Sequence, residues 1–157
     1  MTIDYKEENP LSKNKSEREG ILVKVRLDFK GKGKGPFLFK GKNTEKAAED
    51  TREHQMAQFR NIPVQGAEIV DIDAGNEVYT VFDEITNSEV AFAPLILTIR
   101  ADSLESLFKF TAREEFRKIE VLDPSEIILS HTDVERILYQ VHEEIKEMRT
   151  WLERRFS

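Results

Sequence analysis

Six apolar residues near the end of the chain, Val134, Leu138, Val141, Ile145, Met148 and Leu152, follow one another at spacings of 4, 3, 4, 3 and 4. That is the a/d seam of a heptad pattern over nearly three heptads, and only an α-helix places such residues on one stripe. Thr132 with Glu135 has the S/T-x-x-E spacing of a capping box at its start. Ile137 and Trp151 widen the stripe on one side, and Phe156 lies just past its end. Monomeric proteins rarely leave such a stripe in water, so something must cover it. It packs along the protein's own sheet, or it pairs with a second copy. A strict a/d seam is narrower than the usual core-facing stripe. The six seam residues are therefore the candidate interface of a homo-oligomer.

The rest of the chain must supply a sheet for this helix to join. Ile21, Val23, Val25, Leu27 and Phe29 alternate with Leu22, Lys24, Arg26 and Asp28, the period-two signature of a strand with one buried face. The run ends in Lys30-Gly-Lys-Gly-Lys-Gly-Pro36, whose glycines and proline predict a loop. Phe37 to Lys40 is a short candidate return strand. Thr44 to Arg60 predicts a helix from its Ala, Glu, Lys, Gln and Arg content, with Asn43 or Thr44 as N-cap and a thin apolar stripe of Ala47, Ala48, Met56 and Phe59. Three strand-like runs follow: Gly66 to Ala74, Glu77 to Ile85 and Glu89 to Arg100. Gly75-Asn76 between the first two predicts a hairpin turn. The third run, with VAFAPLILTI, is apolar on both faces, as in a central strand covered on both sides. Pro94 within it lacks a ladder donor, which predicts a bulge or an unpaired edge position. Asp102 with Glu105 predicts the start of a helix whose core face is Leu104, Phe108, Ala112 and Phe116, with Leu107 beside them. Lys118 to Leu122 and Glu126 to Leu129 are short strand candidates.

The expected fold class is therefore α+β: a mainly antiparallel sheet with helices on one face, ferredoxin-like when the meander is merged, plus a long C-terminal amphipathic helix. The 157 residues suit one domain with a proper core. Residues 1–19 show no apolar periodicity and predict a flexible tail, residues 20–130 the α+β domain, and 131–157 the terminal helix.

Few residues point to chemistry. The chain has no cysteine, which removes thiolate zinc sites, disulfides and any Cys nucleophile. His142-Glu143 opens an H-E-x-x pattern that ends at Lys146, so the zincin motif fails. His54 and His131 have no partner pattern, and no G-x-S-x-G elbow is present. Asp71-x-Asp73-x-Gly75-x-Glu77 matches only the opening of a calcium loop, without its third oxygen residue or distal Glu. No catalytic residue, metal ligand or cofactor is assigned.

One cluster is distinctive. Lys24, Arg26, Lys30, Lys32, Lys34, Lys40 and Lys42 fall within 19 residues, against the single acid Asp28. Lysines beside exposed glycine N–H groups suit phosphates, and Phe37 and Phe39 could stack on bases. A solvated hairpin tip kept soluble by its lysines accounts for the same residues. Residues 1–60 hold 14 Lys/Arg against 10 Asp/Glu, +4, and the remainder 10 against 20, −10. Such asymmetry suits an anionic ligand or nucleic acid, or association between opposite faces. The overall acidity, net −6, argues against nucleic acid. No apolar run is long enough to span a bilayer, and the polar first 20 residues lack a signal-peptide core, so the expected location is cytoplasmic and without membrane contact. The leading expectation is a non-enzymatic interaction or regulatory protein that self-associates through its last helix. The alternative is a nucleic-acid or phosphate-binding module using the basic strand and loop.

Overall fold

A computed structural model describes residues 20–31 and 42–157. The Phe37 strand, most of the Lys-Gly loop and the 1–19 tail lie outside these residues.

Among the described residues the strands are β1 (Ile21–Lys30), β2 (Ala67–Asp73), β3 (Tyr79–Asp83), β4 (Ser88–Ala101) and β5 (Phe116–Asp123). They form one sheet in the order β2-β4-β1-β5, with β3 also paired to β4. All neighbours run antiparallel. Strands β1 and β2 therefore run the same way with β4 between them, and β4 and β5 do so with β1 between them. These are two interleaved split βαβ units, the ferredoxin-like arrangement, with β3 added along the far end of β4.

The period-two pattern of β1 works as its sequence implies. Val23, Val25, Leu27 and Phe29 are buried and meet Leu95, Leu97, Ile99 and Ala101 of β4 in the core. Helix α1 (Lys42–Asn61) lies over this face. The helix is already running at Lys42, so Asn43 and Thr44 lie within it rather than at its cap. Its narrow stripe has two parts. Ala48 sits on Ala91 and Ala93, while Met56 and Phe59 pack on the main core, Phe59 stacking on Phe110 with ring centroids 6.2 Å apart. Small side chains at one end let the helix backbone come close to the sheet.

Strand β4 is the central, longest strand, but only one of its faces is covered by helices among the described residues. On the other face Phe92, Ile96 and Thr98 are half-buried, with Tyr79 stacked on Phe92 and Arg117 over its ring, in place of the expected cover on both sides. The Gly75-Asn76 hairpin is also corrected. Strands β2 and β3 do not pair with each other; they lie end to end along one edge of β4, opposite Ile96–Ala101 and Ser88–Phe92 respectively. A strand of 14 residues has edge enough for both. The turn is instead fixed locally, by the Gly75 N–H donating to Asp73 Oδ1 at 2.8 Å. Pro94 falls in the gap between the two partners, so its missing donor costs no ladder bond, as the sequence anticipates. Its carbonyl accepts from Arg52 Nη1 of α1 at 3.1 Å, and the same nitrogen donates to the Asn76 carbonyl at 2.9 Å.

The segment after β4 is less helical than its four-residue repeat suggests. It contains a 3-10 turn at Glu105–Leu107 and a short helix, α2 (Phe108–Thr111), and Phe116 already belongs to β5. Leu107 enters the core as expected, joined by Phe110 in place of Phe108 and Ala112. The Asp102 carboxylate is taken by the Ser106 hydroxyl at 2.6 Å and the Ser103 hydroxyl at 3.2 Å, not by a helix N-terminus. Glu126 to Leu129 forms no strand.

Helix α3 spans His131–Phe156. Its cap is Ser130, not Thr132: the Ser130 hydroxyl accepts from the Asp133 N–H at 3.1 Å, and the Asp133 carboxylate accepts from the Ser130 N–H at 2.9 Å. These bonds hold the Asp133 carboxyl below its ordinary range, the Ser130 backbone N–H contributing most. Ser130→Ala should cost about 1 kcal/mol of helix stability, visible as fraying of the first turn in amide exchange.

Candidate functional site

Two features stand apart from ordinary packing. The first is on the sheet face that no helix covers. Asp28 is only 2% exposed although its β1 neighbours on that face are long and charged. Arg26 Nε and Nη2 donate to its two carboxylate oxygens at 2.8 and 3.1 Å, the Tyr79 hydroxyl of β3 donates at 2.5 Å, and Arg117 Nε of β5 stands 3.7 Å away. Arg117 also lies over the Phe92 ring, and Tyr79 stacks on the same residue. The Asp28 N–H donates to the Glu115 carbonyl at 2.8 Å, where the β1–β5 register shifts and turns Arg117 toward the acid. Burial raises the Tyr79 pKa, with help from the Asp28 carboxylate, while Arg117 acts in the opposite sense. Its hydrogen bond to Asp28 raises the Arg26 pKa. The donors from β1 and β3, with Arg117 of β5 beside them, hold Asp28 as a strut between three strands.

This geometry divides the candidate anion-binding residues. Arg26 is committed to Asp28. Lys24 and Lys30 are exposed on the same sheet face. Lys32, Lys34 and Lys40 lie outside the described residues, and Lys42 opens α1. Gly31 lets α1 approach the end of β1, since a Cβ there would stand 2.2 Å from the Thr44 carbonyl oxygen and 2.7 Å from the Ala48 nitrogen. Sequence reading missed the Asp28 cluster because Tyr79 and Arg117 are remote in the chain. The available signal was a lone acid among the alternating cations of β1.

The second feature is α3 itself. None of its residues is buried, and among the described helices and strands its main contact is with the 3-10 turn at Glu105–Leu107. Of the six seam residues, Val134, Leu138, Ile145, Met148 and Leu152 are exposed, Leu138 at 64%, and Val141 is half-buried. Tyr139, Trp151 and Phe156 are exposed as well. Among the described residues, no member of the core comes from α3. At its base, a cleft of about 280 Å³ separates α3 from the domain. Ile127, Ile128, Leu129 and Ile137 supply its apolar wall, Ile128 being 92% exposed, and Asp102, Glu105, Glu126 and Asp133 ring it with negative charge.

The remaining candidates form no site. Asp71 and Asp73 share a face of β2, but no group of three or more potential metal ligands converges among the described residues. His54 contacts Gln58, and His142 lies beside Tyr139. Among the described residues no helix is long and apolar enough to cross a membrane. Compared with known proteins, the chain matches no family model, no curated protein and no solved structure.

Proposed function

We propose that this chain is a non-enzymatic interaction or regulatory protein that associates with itself through α3. One observation carries the reading: a 26-residue helix with a heptad seam and no buried residue. Leucine, isoleucine and methionine side chains left in water forgo roughly 1.5–3 kcal/mol each relative to burial, so a stripe of six favours a cover strongly. The domain's own core is complete without α3, since none of its members comes from that helix.

Sedimentation of the intact chain at tens of micromolar should show a dimer or larger species. Ile145→Asp, which places a charge in the middle of the seam, should sediment as a monomer while keeping the wild-type thermal transition of the sheet domain. A monomeric wild type would overturn the reading. A second reading, binding of a polyanion, has in its favour the exposed Lys24, Lys30 and Lys118 on the open sheet face. Salt-sensitive retention on heparin by the Ile145→Asp monomer would favour it.

A further inference from the structure

We infer that two copies of α3 pair antiparallel, so that the end of each helix seats in the acidic cleft at the base of the other. The inference rests on the self-association proposed above and fixes what that proposal leaves open, the direction and register.

The charges along the helix are segregated. From His131 to Ile145 the acids are Asp133, Glu135, Glu143 and Glu144, against Arg136 alone; from Lys146 to Phe156 the bases are Lys146, Arg149, Arg154 and Arg155, against Glu147 and Glu153. A helix dipole favours this polarity only within its first and last turns. Glu143, Glu144 and Arg149 lie beyond that reach, so the gradient asks for a second explanation. In a parallel pair, each acidic half would lie beside an acidic half, and the cleft acids of both domains would meet. In an antiparallel pair the acidic halves meet basic ones, with Glu144 against its own copy at the centre.

The seam residues also fit that direction. About a centre at residue 143, Val134 meets the partner's Leu152, Leu138 the partner's Met148, and Val141 the partner's Ile145. All six are used, with none left over, and each layer joins an a position to a d position. On one flank Glu135 then faces the partner's Arg149, twice by symmetry. On the other flank Ile137 faces the partner's Trp151, which accounts for the two residues that widen the stripe. Ile137 lines the cleft, so the partner's Trp151 arrives at its mouth, and the partner's Arg154 and Arg155 come level with the first turn of α3, beside the acids of the cleft.

The chain has no cysteine, so Glu153→Cys carries one thiol label per chain. In the antiparallel pair the two labels are offset by 20 residues of helix, about 30 Å at 1.5 Å per residue; in a parallel pair they lie side by side, within about 20 Å. A pulsed dipolar measurement on the sedimenting dimer should give the longer distance. A dimer with the shorter distance overturns the inference and leaves self-association standing, whereas a monomer overturns both. Arg149→Glu should weaken association on the order of tenfold, and adding Glu135→Arg should restore it. In a parallel pair Arg149 would face Glu144 instead, so failure of Glu135→Arg to rescue also counts against the inference.

Discussion

Asp28→Ala should lower the unfolding free energy by about 3 kcal/mol, measured by urea denaturation of the intact chain. The substitution leaves Arg26 and Arg117 without their anion and Tyr79 without its acceptor, on a face where the three side chains cover Pro94 and Phe92. Removing one member of a buried ion pair costs roughly 3–5 kcal/mol, and the lower figure applies because both arginines remain partly in water. A loss below about 1 kcal/mol would mean that the arginines simply turn outward. Tyr79 provides a companion measurement with a definite sign. Its folded pKa is raised, chiefly by burial. The stability it contributes is therefore complete below its ordinary pKa of about 10 and is lost as pH rises through the folded value. Tyr79→Phe should flatten the alkaline fall in melting temperature.

Gly31→Ala should cost about 3 kcal/mol. The added methyl would stand 2.2 Å from the Thr44 carbonyl oxygen and 2.7 Å from the Ala48 nitrogen, and both are backbone atoms of α1. Neither can rotate away as a side chain would, so the helix must lift from β1. Lifting it also opens the contact of Ala48 with Ala91 and Ala93. Thermal unfolding of the variant reads the loss directly. An unchanged melting temperature would show that α1 tolerates the displacement and that the close approach is not a constraint.

These two residues mark where local reading stops. The strand β1, the core strand β4, the unpaired place for Pro94 and the long terminal helix were legible in the sequence, because each depends on a repeat that one segment carries alone. Alternation over Ile21 to Phe29 and the heptad from Val134 to Leu152 do not need to know their neighbours. The cap of α3 was legible in kind and misplaced in position: Ser130-x-x-Asp133 and Thr132-x-x-Glu135 compete within the same turn, and the chain entering from Leu129 decides between them. The false hairpin at Gly75-Asn76 has a similar origin. Turn chemistry there is satisfied by Asp73, and the length of β4 determines where β2 and β3 bind. The helix expected from Asp102 is shortened to a 3-10 turn and one helical turn because Phe110, in place of Phe108 and Ala112, joins Leu107 in the core.

The sequence by itself thus determined the class of fold, the core faces of β1 and β4 and the existence of an apolar helical stripe. Only the tertiary structure decided that Asp28 is a strut rather than an interruption in a basic strand, since its partners come from β3 and β5. Only the tertiary structure decided that Gly31 is a contact point for α1. And only the tertiary structure showed that, among the described residues, the stripe of α3 is left largely exposed, because periodicity says that a face must be covered but carries no record of what covers it.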